Sequence, residues 1–213
     1  MTLTRLASAS AAHFLEILGL TRTGPADNTG VGTLALLGPA GPGFWPHVSI
    51  QPEFRDGEPD PLDRWSRRVI DMLAAATGGT PLYPFAEPRQ PFIAWALRSG
   101  RAWNSPVRLL VHDTAGLMIS YRGAILLNIE EPPSPTIARP CDTCVGKPCL
   151  SACPPHALTD TGYALDTCHA FLDTAPGTDC MDRGCAVRRA CPVSRDYGRD
   201  PGQSAFHMRA FHP

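Results

Sequence analysis

All eight cysteines of this 213-residue chain lie beyond position 140, and their spacing limits what the C-terminal third can become. They read Cys141-x2-Cys144-x4-Cys149-x3-Cys153-Pro154, then Cys168 alone, then Cys180-x4-Cys185-x5-Cys191-Pro192. Thiols at this density either crosslink or bind metal. Four disulfides require an oxidising compartment. The N-terminus does not read as an export signal, because His13 and Glu16 interrupt the apolar run that follows Arg5. Two zinc sites are the stronger rival, since Cys-x2-Cys and Cys-x4-Cys both suit a tetrahedral ion. Neither alternative calls for proline after both Cys153 and Cys191.

Closely spaced thiolates closed by Cys-Pro are the signature of bacterial ferredoxin loops, in which the cysteine before proline serves the other cluster. One short loop reaches three iron corners of a cubane, and the fourth must be met from elsewhere in the chain. On that pattern Cys141, Cys144, Cys149 and Cys191 hold one 4Fe–4S cluster, while Cys153, Cys168, Cys180 and Cys185 hold a second. All eight cysteines are then used. The loop Val145-Gly-Lys-Pro148 is longer than the strict two-residue gap, and the second group is wider still. On ligand spacing alone, zinc therefore stays open.

Residues 1–131 contain no cysteine and show mixed periodicity. The pattern predicts a helix over 4–19, a turn over 23–30, a buried strand over 33–37 and a loop from Gly38 to Gly43. A longer helix is expected over 61–76, with Leu62, Trp65, Val69, Met72 and Leu73 on its apolar face and Gly78-Gly79 ending it. A short helix over 91–98 and a strand over 107–112 follow. Residues 117–121 and 124–128 then read as a hairpin about Arg122-Gly123. These elements make an α+β domain over 1–131. Glu130-Glu-Pro-Pro-Ser-Pro-Thr136 is a stiff connector, and a second domain occupies 132–213. The tail from Ala205 to Phe211 is amphipathic and expected to fold back over the first domain.

The net charge of −1 offers no footprint for nucleic acid, and no stretch reaches the roughly 20 apolar residues of a membrane span. A cytoplasmic protein is expected. Arg183, Arg188, Arg189, Arg195 and Arg199 crowd the second cysteine group. They suit either stabilisation of a negatively charged cluster, docking of an acidic low-potential donor such as a ferredoxin or flavodoxin, or a solvated face. The Gly38–Gly43 run lacks the order of a phosphate loop, and no motif supports a flavin.

Residues 138–195 resemble the two-cluster ferredoxin-type domain of epoxyqueuosine reductases, which is similar to that of reductive dehalogenases. The likeness lies in four cysteines, an isolated one in Cys168-His-Ala-Phe-Leu172, and three more ending in Cys-Pro. The segment Val111-His-Asp-Thr-Ala-Gly-Leu-Met-Ile-Ser-Tyr-Arg-Gly-Ala-Ile125 resembles the His-Pro-x-x-Gly … Arg-Gly segment of the cobalamin-processing (decyanating) chaperones, with Asp113 where proline is usual. That second resemblance implies a nitroreductase-like α+β fold and a corrinoid pocket, for which His112, Tyr121, Arg122 and Trp45 are the candidates. Each has a plainer reading: a strand-end histidine caps a core, a hairpin tip is solvated, and an aromatic beside a loop fills a small core.

Together the resemblances imply a nitroreductase-like domain followed by a ferredoxin-like one, forming an iron–sulfur reductase that delivers electrons to a bound cobalamin for reduction, dealkylation or decyanation. The alternatives are a plain electron carrier with a partner-docking domain, or a small epoxyqueuosine-reductase-like enzyme. The chain is shorter than those enzymes and lacks a basic stripe for tRNA, which favours cobalamin over a nucleoside.

Overall fold

The cysteine-free part of the chain folds around strands that are apolar on both faces. The structure, a computed structural model, describes residues 3–132, 134, 135 and 137–213. Part of the expected connector over 130–136 therefore lies outside the described residues. In chain order come helix α1 (Leu3–Ala11), strands β1 (Leu15–Thr23) and β2 (Gly32–Pro39), and helices α2 (Phe44–Val48) and α3 (Pro61–Thr77). Strand β3 (Thr80–Leu82), helix α4 (Phe92–Arg98) and strands β4 (Ala102–Asn104), β5 (Leu110–His112) and β6 (Gly123–Leu127) follow. The C-terminal third contains only short helices: α5 (Pro140–Thr143), α6 (Leu165–Leu172), α7 (Thr178–Arg183), α8 (Ala186–Ala190), α9 (Pro192–Tyr197) and α10 (Pro201–Phe211).

Two compact units result, and they do not follow a boundary at 131. One takes the chain up to Ala102 together with Ser120–Ile137, and the other takes Trp103–Ile119 together with Ala138–Pro213. The first unit is a mixed α+β layer. Its four strands run in the order β1-β2-β6-β3, each antiparallel to its neighbour. Residues of β2 from Thr33 to Pro39 and all of β6 are buried, as befits inner strands covered on both faces. Helix α3 packs on this sheet through Trp65, Val69, Ile70 and Leu73, and Phe44 meets the Trp65 ring edge-on at 5.5 Å.

Helix α3 begins at Pro61, where a missing N–H costs no hydrogen bond, and ends at Gly78 in the left-handed region (φ 61°). Both ends follow the sequence. One residue of its expected apolar face does not: Met72 is 47% exposed, and Ile70 is fully buried instead.

Two elements depart from the sequence reading. The expected helix over 4–19 stops at Ala11, and the chain reverses at Phe14 (φ 54°) to enter β1. Leu15 and Leu18 had suggested a helix because they lie three apart. A β-bulge between Ile17 and Gly19 gives the same spacing in a strand, since the extra residue restores both leucines to the buried face. The hairpin about Arg122-Gly123 is also absent. Residues 117–121 form no strand, and β6 pairs with β2 and β3 instead. The expected strand over 107–112 shortens to β5, and Pro39 extends β2 into the expected glycine loop.

Arg122 ties the start of β6 to α3. It is 7% exposed, its guanidinium ion-pairs with Asp63, and Nε donates to Ser66 Oγ at 2.9 Å. Burial pushes this guanidinium below its ordinary pKa, and Asp63 is what counteracts it. The pair is therefore asymmetric, because the Asp63 side chain is 36% exposed. Replacing Asp63 with alanine strands a buried cation and should cost about 3 kcal/mol of stability. Replacing Arg122 with methionine keeps the side-chain bulk, lets water reach Asp63, and should cost only about 1 kcal/mol. Chemical denaturation of the two variants tests that order.

Candidate metal centre

The cysteine-rich unit has few long apolar runs of its own, and residues 103–119 supply what it lacks. Val107, Val111 and Leu117 form one buried cluster with Ala157, Leu158, Val187, Cys149, Cys153 and Cys191. The hook is held at Leu117 by both backbone groups: its N–H donates to Ser194 Oγ at 2.8 Å, and its carbonyl accepts from Arg188. Gly116 (φ 55°) makes the approach possible, since a Cβ there would lie 2.5 Å from the Ser194 nitrogen.

Proline sets the local geometry of the thiols. Pro140, Pro148 and Pro192 each open a helical turn, and beside each stands a cysteine: Cys141, Cys149 and Cys191. Cys144 closes the first of these turns. These four cysteines line a single cavity of about 400 Å³, whose apolar wall includes Val111 and Leu117. Burial raises the Cys149 pKa, and the thiols of Cys141, Cys191 and Cys144 raise it further. Burial likewise raises Cys141; Arg139 opposes this, while Cys191 and Cys144 add to it.

The other four cysteines belong together by the same measure. Cys168 in α6 is raised by burial, lowered by a hydrogen bond from Tyr163, and raised again by Cys185 and Cys153. Cys180 in α7 is raised by burial, lowered by the Ala186 amide, and raised by Cys185. Cys149 and Cys141 thus feel Cys144 and Cys191, Cys168 feels Cys153 and Cys185, and Cys180 feels Cys185. Cys153 shares the buried cluster of Val107, Val111 and Leu117 but does not line the cavity, whereas Cys191 joins residues more than forty positions earlier there.

All eight cysteines are free thiols, with no disulfide between them. Among the described residues, no group of three or more His, Cys, Asp or Glu side chains is arranged to hold a metal ion. The first four thiols instead border a cavity. A lone zinc draws its sulfurs to about 2.3 Å from one centre. A cubane takes one thiolate at each iron corner and so spreads its ligands around a volume. A walled cavity bordered by four thiols and apolar side chains fits the second description.

The remaining candidates do not converge. His112 is fully buried and belongs to the cysteine-rich unit, where Nδ1 accepts from the amides of Thr114 and Ala115 at 3.2 and 3.3 Å. It shapes the 112–116 turn rather than facing solvent. In the α+β unit, Trp45 meets Phe54 edge-on at 5.7 Å, Tyr121 lies 6.3 Å from Phe92, and Arg122 is paired as above. Of the arginines near the second cysteine group, Arg183 and Arg189 both pair with Asp179, and Arg188 is half-buried and donates to the Leu117 carbonyl. Arg199 points Nη1 at Met118 Sδ, 3.7 Å away. The tail forms α10, which packs on α7. Tyr163 escaped the sequence reading because nothing in its spacing marks it as a partner of Cys168.

No family model, no curated protein and no solved structure matches this chain. Among the described residues no helix is long and apolar enough to cross a membrane.

The two sets of thiols predict a pattern of loss. If each set holds its own iron–sulfur cluster, Cys149→Ala and Cys191→Ala should remove the same half of the iron taken up on reconstitution. Cys153→Ala should behave like Cys168→Ala and remove the other half. Iron and sulfide analysis of the four variants, with electron paramagnetic resonance of what remains, checks this; loss of the same iron from Cys149→Ala and Cys153→Ala would contradict it.

Proposed function

We propose that this chain is an iron–sulfur electron-transfer protein with two 4Fe–4S clusters in its cysteine-rich unit. The observation that carries the reading is the apolar-walled cavity lined by Cys141, Cys144, Cys149 and Cys191, with Cys168 near Cys153 and Cys185 elsewhere in the same unit. Cys141, Cys144, Cys149 and Cys191 would hold the first cluster, and Cys153, Cys168, Cys180 and Cys185 the second. When bound, such clusters accept and release single electrons, at potentials set by hydrogen bonds to sulfur, charge and solvent exposure. The chain's part is to present the thiolates, keep water from the apolar wall of the cavity, and hold charged groups nearby. On this reading the cysteine-rich unit is ferredoxin-like, and its donor is a low-potential carrier such as a ferredoxin or flavodoxin.

The acceptor follows from the resemblance of the Val111–Ile125 segment to the cobalamin-processing chaperones. It implies a nitroreductase-like α+β unit with a bound corrinoid, and hence a cobalamin reductase of the cytoplasm. A specific observation favours the plain electron carrier as the second reading: Trp45, Tyr121 and Arg122 are each engaged by neighbours within the α+β unit, and His112 shapes its own turn. In that case the α+β unit is a docking module.

Anaerobic purification with iron, sulfide and zinc analysis, followed by spectral titration with cobalamin, separates these. About eight irons per chain is the expected result for two cubanes. A change in the cobalamin spectrum on mixing with the reduced protein identifies the reductase. Iron without that change leaves the carrier, and zinc without sulfide refutes the proposal.

A further inference from the structure

The two sets of thiols have different surroundings. In the second set, three sulfurs receive hydrogen bonds from the chain. Tyr163 Oη donates to Cys168 Sγ at 3.3 Å, the Leu158 amide to Cys153 Sγ at 3.5 Å, and the Ala186 amide to Cys180. A half-buried cation, Arg188, lies within electrostatic reach of Cys185 and Tyr163, anchored by its bond to the Leu117 carbonyl. In the first set two sulfurs have such partners, Cys141 from the Arg139 side chain and Cys149 from a backbone amide, and Arg139 is also the neighbouring cation. That guanidinium is 37% exposed, donates to the Asn104 carbonyl at 2.6 Å, and lies 3.9 Å from the Asp142 carboxylate. Water and a carboxylate therefore screen it.

The C-terminal end of α10 holds Tyr163 in place. The phenol ring lies nearly parallel to that of Phe211, with centroids 6.4 Å apart and planes 13° apart. His169, next to Cys168 on α6, stacks on the same Phe211 at 4.7 Å. His212 fastens this end of the chain, with Nδ1 2.6 Å from His169 Nδ1 and Nε2 2.9 Å from the Asp173 carboxylate. A phenol 41% exposed is thus kept over one particular sulfur.

A cluster that takes up one electron gains one negative charge, so donors to its sulfurs and a nearby cation favour the reduced form and raise its potential. We propose that Tyr163, seated by Phe211, together with Arg188 anchored at the Leu117 carbonyl, makes the cluster of Cys153, Cys168, Cys180 and Cys185 the more easily reduced of the two. An electron from a reduced ferredoxin or flavodoxin then comes to rest at that cluster, with no proton transferred. The inference rests on the two-cluster reading above and assigns Tyr163 and Phe211 as positioning residues.

The test is a potentiometric titration of the full reconstituted chain, followed by electron paramagnetic resonance. The wild-type protein should show two one-electron midpoints. Tyr163→Phe keeps the ring and its stacking but removes the donor, and should lower the upper midpoint while leaving the lower one in place. A tenfold loss in the reduction equilibrium corresponds to about 59 mV for one electron. Phe211→Ala should lower the same midpoint by less. A single shared midpoint, or a Tyr163→Phe protein with full iron and sulfide whose upper midpoint stays put or whose lower one moves, overturns the inference and leaves the two-cluster reading intact. A wild-type protein that contains no sulfide after reconstitution overturns both.

Discussion

The attachment of residues 103–119 to the cysteine-rich stretch is the contact on which the rest of that unit depends. A chain of short helices and turns buries too little apolar surface to hold itself together. Val107, Val111 and Leu117 bring the missing side chains from a segment that precedes β6 in the chain, and the two backbone bonds of Leu117 fix them to Ser194 and Arg188. Those anchors flank Cys191, so the attachment also positions the cysteine that joins Cys141, Cys144 and Cys149 around the cavity. Burial of the thiols, their mutual proximity and the placement of Arg188 all follow from it.

The same excursion shapes the α+β unit. The chain leaves after α4 and returns at Ser120, so β6 joins β2 and β3 only after the excursion is complete. Arg122 stands at the point of return, and its pairing with Asp63 and Ser66 is the first bond that fixes the incoming strand to α3. A buried ion pair at a crossover specifies register as well as stability, because the guanidinium has one partner that can neutralise it.

How much of this was legible depended on whether the signal was local. Helix α3 announced itself through its proline start, its glycine stop and its periodic apolar face, and β2 through its unbroken apolar run. The meeting of Cys191 with Cys141, Cys144 and Cys149 around one cavity was legible because Cys-Pro carries a rule about which loop serves which site. Strand β1 was misread since a bulge gives leucines the spacing of a helix, and no residue type marks a bulge in advance. The hairpin failed for a different reason: Arg122-Gly123 is good turn chemistry, but residues 117–119 were already committed to a second core. Arg188 was legible as one of the arginines beside the second cysteine group, whereas Tyr163 was invisible as a sulfur neighbour because nothing in its spacing marks it.

The helices around the cysteines are very short, with four residues in α5, five in α8 and six each in α7 and α9. Segments of that length do not persist as helices alone, since nucleation outweighs the few hydrogen bonds they form. Their order has to come from contacts around them such as the 103–119 attachment, and a group bound at the thiols as proposed would couple its binding to folding of the unit. For a chain loaded as proposed, the supply of iron and sulfide would act as a quality-control signal, deciding how long a newly made molecule survives before proteases reach its unassembled half.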